Sequence, residues 1–416
     1  MVADAGTVDT AGRRGRPTAP ADPSPLRRIP AGAALYLHVP FCAATCDFCA
    51  FDKQVPSPGD WQVYREGLEA EWALLAPEGP ASSCFWGGGT PGLLKARDIR
   101  RIGDRFRRNL QPGAEWTVEL TPQCLTREKM EAWREVGVNR LSLGVQSFSP
   151  FLLRALGRPH ANDRVEAQVD RLRASGWDNL NLDLIVAVPG QGPRELEEDL
   201  RRALALSPDH LSLYNLTLEE DTPLLARLAR EGYRVDPENE AGLLEHAWDF
   251  LEAAGFHHYE VSNFARPGRE SRHHRTIWGM GEWRGLGPSA ASQVGSHRFR
   301  NPHGLEAWRT ALGEDPPAVE ERVELGPAEQ VLERAVFGLR TSRGFPVEAA
   351  AAVPGLEGIL RRLEAAEWLR RGGDHWVPTR AGLLVADAIG REILASAGAG
   401  APDFSLPAGA APGNLR

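Results

Sequence analysis

Three of the five cysteines in this 416-residue chain, Cys42, Cys46 and Cys49, fall within eight positions as C-x3-C-x2-C, directly after a short apolar run that reads as a strand. Thiolates crowded on one loop can converge on a soft metal centre, and three of them leave a four-iron cluster with one iron open to an outside ligand. The competing reading is a structural zinc site completed by His38, although zinc knuckles usually supply paired C-x2-C elements. Cys84 and Cys124 lie outside the group and read as core or loop residues. Phe48, between the second and third cysteines, is placed to shield a cluster or the ring of a ligand.

Other residues could complete a site. The turn Gly87-Gly88-Gly89-Thr90-Pro91 follows a second short strand, and glycine, lacking a Cβ, lets backbone approach a ligand closely. Glu119, Gln146 and Asp183 lie at or near predicted strand ends. They either satisfy local backbone or bind the amine and ribose hydroxyls of an adenosyl ligand, work suited to carboxylates and amides at set positions. Arg158 is either a solvated helix-end cation or a bidentate partner for a ligand carboxylate. His273 and His274 are adjacent, so on a regular element they cannot both face one way. A histidine in this aromatic setting faces solvent or ligates a haem iron.

The elements that must position these residues alternate. Strands are predicted in the apolar run before the cysteines and at 83–86, 116–120, 140–145, 181–188 and 210–216, with helices at 61–75, 99–106, after the N-cap Thr126, and at 151–156, 165–172 and 196–206. Strands separated by helices imply parallel pairing, so the fold class is α/β, a partial (β/α)6 barrel whose chemistry belongs at the C-terminal ends of its strands. The cysteine loop, the glycine turn, Glu119 and Gln146 all fall on that rim, with Asp183 and Tyr214 in the fifth and sixth strands. Residues 34–258 form the barrel in this reading, and 259–325, irregular and rich in aromatics and glycine, connect as loops packed over the rim. Residues 326–395 read as helix, helix, helix, short strand, helix, a winged-helix-like α+β module. The Ala-, Pro- and Gly-rich segments 1–33 and 396–416 are expected to be disordered tails.

Composition narrows the function classes. A formal net charge of -8 gives no basic footprint for nucleic acid, and no apolar run is long enough for a transmembrane segment. An odd, clustered set of cysteines makes a poor disulfide framework and fits a reducing cytoplasm. The N-terminal residues lack the apolar core of a secretion signal, and their prolines interrupt any presequence helix.

C-x3-C-x2-C after one strand and GGGTP after the next resemble the radical S-adenosylmethionine (SAM) superfamily. YLHVPFC from Tyr36, GVQSF from Gly144, LGRPH from Leu156, LDL from Leu182, YEVSNF from Tyr259 and GLGP from Gly285 resemble more narrowly the oxygen-independent coproporphyrinogen III oxidase-like family, over residues 34–395. The resemblance implies a [4Fe-4S] cluster held by Cys42, Cys46 and Cys49, with SAM on the fourth iron and reductive cleavage of its sulfonium to methionine and a 5′-deoxyadenosyl radical. It implies SAM contacts from Tyr36, Phe48, Gly88, Gly89, Thr90, Glu119, Gln146, Arg158 and Asp183. Phe51 stands where the decarboxylating enzymes carry a fourth cysteine, a pattern that resembles the haem chaperone branch. That branch binds haem and delivers it to acceptor proteins, so the implied partners are haem with a contact from His273, an acceptor protein and a reductant for the cluster. A porphyrinogen-decarboxylating enzyme or a radical SAM methyltransferase is the alternative. Two places depart from the family pattern: residues 273–278 read HHRTIW where the branch shows HNxxYW, and Thr121 replaces an Asn after the strand-end Glu.

Overall fold

The computed structural model describes residues 24–158 and 164–395. A 3-10 turn (Ser24–Arg27) leads into β1 (Arg28–Ile29), β2 (Ala34–Val39), α1 (Asp60–Leu74), β3 (Ala76–Pro77) and β4 (Ala81–Gly88). The alternation continues with α2 (Ala96–Arg107), β5 (Leu110–Leu120), α3 (Arg127–Val136), β6 (Arg140–Gln146), α4 (Pro150–Ala155) and α5 (Val165–Ala174). Then come β7 (Leu180–Val186), α6 (Pro193–Ala205), β8 (His210–Asn215), α7 (Pro223–Glu231) and α8 (Pro237–Ala253). Strands β2, β4, β5, β6, β7 and β8 pair in parallel in that order, which is the six-stranded partial barrel expected.

Residue alternation explains what each face of this sheet does. Successive strand side chains point to opposite faces, and Leu35, Leu37, Cys84, Trp86, Trp116, Val118, Leu141, Leu143, Leu182 and Leu184 all join the core beneath the helices. Trp86 anchors that layer, its ring edge-on to Trp133 of α3 at 5.3 Å and to Phe106 of α2 at 5.2 Å between centroids. The intervening positions, Tyr36, His38, Phe85, Glu119, Ser142, Asn181, Asp183, His210 and Ser212, are polar or aromatic and form the inner face. Thr126 caps α3 as expected, its hydroxyl accepting from Lys129 N.

The segment 259–325 departs from the expectation of loops over the rim. It supplies β9 (His257–Glu260) and β10 (Asn263–Ala265), which extend the sheet beyond β8, then α9 (Arg272–Trp278). It goes on to β11 (Trp283–Leu286), which pairs in parallel with β2, followed by β12 (Ala291–Val294), β13 (His297–Arg300), α10 (Leu305–Ala311) and β14 (Glu321–Glu324). The result is one twelve-stranded sheet in which this segment occupies both edges. Each of its strands is only three or four residues long, too short to show a period against the intervening glycines and aromatics. Residues 24–33 likewise differ from the expected tail: β1 pairs with β3, and Leu26 and Ile29 are buried. The rest of that tail, 1–23, and the segment 396–416 lie outside the described residues.

The C-terminal module comprises α11 (Pro327–Gly338), β15 (Phe345–Pro346), α12 (Leu356–Ala365), β16 (Leu369–Gly372), β17 (His375–Pro378), α13 (Arg380–Leu384) and α14 (Ala386–Ala395) around its own core, with Trp376 and Phe345 fully buried. Three strands replace the single one expected, because Gly373, at φ +65°, lets the chain reverse between β16 and β17. The module docks on the barrel through backbone: Val261 N donates to Arg340 O at 2.9 Å and Ser342 N to Tyr259 O at 3.0 Å. Among the described residues no helix is long and apolar enough to cross a membrane.

Since Trp133 is 1% exposed and wedged against Trp86, Trp133→Ala is expected to cost about 3–5 kcal/mol of stability, read from urea unfolding followed by circular dichroism.

Candidate cofactor site

The cysteine loop is closed at its base, where Gln54 N donates to Pro40 O at 2.7 Å and Cys42 N to Gln54 O at 3.0 Å. Its middle is tied to two helix ends: Asp47 N donates to Leu156 O at 3.3 Å, Leu224 N donates to Asp47 O at 3.0 Å, and Arg227 Nη1 lies 3.5 Å from the Asp47 carboxylate. Phe48 packs, half-buried, against the apolar group that includes Leu152, Leu156 and Leu224. Gly157 adopts φ +68°, and a Cβ there would lie 2.3 Å from the Asp47 carboxyl carbon. Only glycine fits, and the turn it permits carries Arg158, whose Nη2 donates to Gly144 O at 3.0 Å.

The three loop cysteines are free and partly buried. Burial raises the thiol pKa of Cys42, the Thr90 hydroxyl at 3.6 Å works against it, and Cys49 and Cys46 raise it further. Burial also raises Cys46, opposed chiefly by the Arg158 guanidinium. Cys42 thus feels both other thiols, with Thr90 beside it, and Cys46 has Arg158 beside it. A single zinc ion holds its thiolates at about 2.3 Å, and among the described residues no three Cys, His, Asp or Glu side chains are gathered as a single-ion site requires. His38 does not complete such a set either, since its Nε2 lies 2.9 Å from Asp52 O and its Nδ1 3.1 Å from Tyr36 Oη.

The glycine turn is built for close approach. Gly89 N donates to Val39 O and Thr90 N to Phe41 O, each at 2.8 Å, which lays the turn along the start of the cysteine loop. A Cβ on Gly89 would meet Phe41 O at 2.7 Å, and one on Gly88, at φ +96°, would lie 2.5 Å from the His38 ring. Beneath it stands Glu119, close enough that a Cβ on Gly87 would meet its Oε2 at 2.9 Å. Burial, then repulsion from Asp183, pushes the Glu119 carboxyl up to about 8, although the Gly88 N–H bond opposes the shift. Asp183, raised by burial, is held in place by Ser142 Oγ at 3.1 Å and Asn181 Nδ2 at 2.7 Å. Gln146 closes β6 with φ +68° at a register shift, and its Oε1 is buried without a hydrogen-bond partner. An orphaned amide oxygen at the end of β6, the strand between those that bear the two carboxylic groups, fits a ligand that brings hydroxyl and ammonium donors. The residues therefore suit SAM and a thiolate-held iron–sulfur cluster.

Gly88, Gly89 and Thr90 thus lie along the cysteine loop with Arg158 beside Cys46, Glu119 lies beneath the glycine turn with Asp183 near enough to raise it, Gln146 ends β6, and Tyr36 meets His38 Nδ1; Phe48, in the loop itself, packs toward the helices. His273 lies away from the cysteine loop but one ring from Tyr36, since Phe85 stacks on both, at 6.4 Å from Tyr36. It lies on α9, its Nδ1 3.3 Å from Ser83 Oγ and its ring stacked on Phe85 at 5.1 Å. Ser83 precedes Gly88 by five residues, about 17 Å along the strand. His273 is 2% exposed, and burial pushes its pKa down to about 3. Sequence reasoning passed over Asp52, His303 and the Ser142–Asn181–Ser212 support of Asp183, since no local motif marks them.

A family model for the radical SAM superfamily matches residues 36–203. The haem chaperone HemW of Bacillus subtilis is 32% identical over 360 residues, covering 81% of this chain and 95% of its own. The chain belongs to the HemW-like branch of the radical SAM superfamily. The HemW of Mycobacterium tuberculosis strain H37Rv is 34% identical over 377 residues, 86% of this chain and 94% of its own. Mouse radical S-adenosyl methionine domain-containing protein 1, mitochondrial, is 33% identical over 75% of this chain and 74% of its own. The solved structure of coproporphyrinogen III oxidase from Escherichia coli shares the fold, with a TM-score of 0.75 at 24% identity over 89% of this chain and 92% of that one. Membership of the superfamily implies a [4Fe-4S] cluster and SAM as cofactors, the groups that the thiol loop and its polar surroundings fit.

Two outcomes follow for the site. Gly88→Ala should abolish SAM binding in equilibrium dialysis, because the added Cβ meets the His38 ring in a backbone conformation that suits glycine. For Glu119 the folded pKa lies above the unfolded value of 4.5, so the group costs stability. The cost is absent below pH 4.5, grows as pH rises and is complete above about 8. SAM-free Glu119→Gln should therefore gain thermal stability over the parent, and by more at pH 8.5 than at pH 5.5.

Proposed function

We propose that this protein is a haem chaperone that binds haem and passes it to an acceptor protein, built on a radical SAM scaffold. The observation that carries this reading is Phe51, a half-buried phenylalanine two positions beyond Cys49, where the decarboxylating pattern has a fourth thiol. The bacterial relatives named haem chaperone, matched over 94–95% of their own length, support it. When bound, the cluster and SAM would supply one-electron reduction of a sulfonium.

The chain's own residues then have defined tasks. Cys42, Cys46 and Cys49 hold the cluster. The Gly88–Gly89 backbone and Thr90 receive the methionyl part of SAM, Arg158 pairs with its carboxylate, and Glu119 takes its ammonium. Gln146 and Asp183 accept from the ribose hydroxyls, while Tyr36 and Phe48 flank the ligand and exclude water. At neutral pH Glu119 must give up a proton to pair with an ammonium, so SAM binding should release a proton that Glu119→Gln does not. Transfer of a reduced cluster's electron requires a reductant, and the cytoplasm is the compartment this chemistry suits.

The test is one anaerobic preparation, reconstituted with iron and sulfide. Iron near four per chain that falls to background in Cys46→Ala, together with a Soret shift on haem addition and no decarboxylation of coproporphyrinogen III, is the expected result. Turnover of coproporphyrinogen III would replace the chaperone reading with the enzymatic one.

A further inference from the structure

We propose that His303 supplies the axial imidazole for haem, an inference that rests on the haem chaperone reading above. A protein that hands haem to another needs an iron ligand reachable from outside. Four of the described histidines, His38, His210, His273 and His274, are buried inside the fold. Three of them are engaged there: His38 with Tyr36 and Asp52, His210 with Asn181 and Tyr259, and His273 with Ser83. The His274 nitrogens have no partner, but they are enclosed, and offering either histidine of α9 to a porphyrin means moving that helix off the sheet.

His303 has the opposite setting. It lies between β13 and α10, and its side chain is 66% exposed. Its Nδ1 faces the protein, 3.5 Å from Asp52 Oδ1 and 3.5 Å from Ser289 Oγ. Asp52 is itself held firmly, accepting from Ser289 Oγ at 2.6 Å and from Gly304 N at 3.2 Å. With Nδ1 turned toward a fixed carboxylate, Nε2 is the nitrogen left for a metal, and a carboxylate behind an imidazole fixes the tautomer and raises ligand basicity.

Location separates His303 from His375, another histidine beside a carboxylate. His375 also faces a carboxylate, that of Asp374 at 2.7 Å, but this aspartate is itself 93% exposed in the turn of the C-terminal hairpin. The carboxylate behind His303 belongs to the cysteine loop, three residues after Cys49. The carbonyl of the same Asp52 lies 2.9 Å from His38 Nε2, and His38 reaches Tyr36. One residue therefore connects the exposed imidazole to the cluster loop and to the SAM-side tyrosine. Half-buried Phe51 and Val55, 58% exposed, flank Asp52 along the loop and offer apolar surface to a porphyrin.

The test is a ferric haem titration of the full-length, reconstituted protein read at the Soret band. The parent and His273→Ala are expected to give the same shifted Soret. His303→Ala should lose the shift and regain it on addition of free imidazole, and Ser289→Ala should need several-fold more haem for half-saturation. A parent-like Soret in His303→Ala overturns this assignment and leaves the chaperone reading standing, as does loss of the shift in His273→Ala alone. No Soret change in the parent removes both. Iron content and circular dichroism of His303→Ala, unchanged for an exposed side chain, show that its loss of haem is local.

Discussion

Everything at the candidate site depends on how His38 is held between three pieces of chain. Its ring nitrogens face Tyr36 Oη and Asp52 O, its carbonyl accepts from Tyr64 Oη at 2.8 Å, and its ring fills the space that a side chain on Gly88 would need. Gly287, at φ +93°, brings the chain after β11 against the same carbonyl, where a Cβ would stand 2.5 Å away. Burial lowers the His38 pKa, so the ring stays neutral and can both donate and accept. A neutral, doubly bonded imidazole is a rigid spacer, and it sets the separation between the cysteine loop and the glycine turn. Cofactor geometry therefore rests on a residue that contributes no ligand atom.

The sheet supplies the second constraint. With apolar side chains committed to the helix-covered face, every alternate position from β2 to β8 is free to be polar, and the barrel collects them into one layer. Ser142, Asn181, Ser212 and His210 form a hydrogen-bonded lattice, with Asn181 Nδ2 2.7 Å from Ser142 Oγ and 3.0 Å from Ser212 Oγ. That lattice orients Asp183, and Asp183 in turn raises Glu119. Buried polar groups are tolerable only when satisfied. Around Asp183 the inner layer is satisfied, while Gln146 Oε1 near the rim, and deeper down Thr117 Oγ1 and the His274 nitrogens, are buried without a partner; the first of these lies where the ligand is proposed.

Much of this was legible in the residues. The six parallel strands were readable because each is a short apolar run bounded by helices of regular period, and the strand ends could then be named. Glu119, Gln146 and Asp183 stood out as polar residues in such runs. The edge strands β9 to β14 were not legible, since three- and four-residue strands carry no periodicity and owe their pairing to an existing sheet edge. His273, in an aromatic stretch read as loop, was expected either to face solvent or to ligate a haem iron. The fold encloses it, as the helix that bears it packs against Ser83 and Phe85 of a strand nearly two hundred positions earlier.

Sequence alone determined the chemistry available: three thiols within eight positions, a glycine turn, carboxylates at strand ends and a phenylalanine in place of a fourth thiol. Those are properties of residue type and local spacing, which survive without any tertiary contact. Tertiary structure decided which groups meet. Asp52 and His303 are separated by about 250 positions, and only the pairing of β11 with β2 brings the chain leading to His303 beside the cysteine loop. No local signal could announce that contact, because neither residue gains its role until the sheet edge is built.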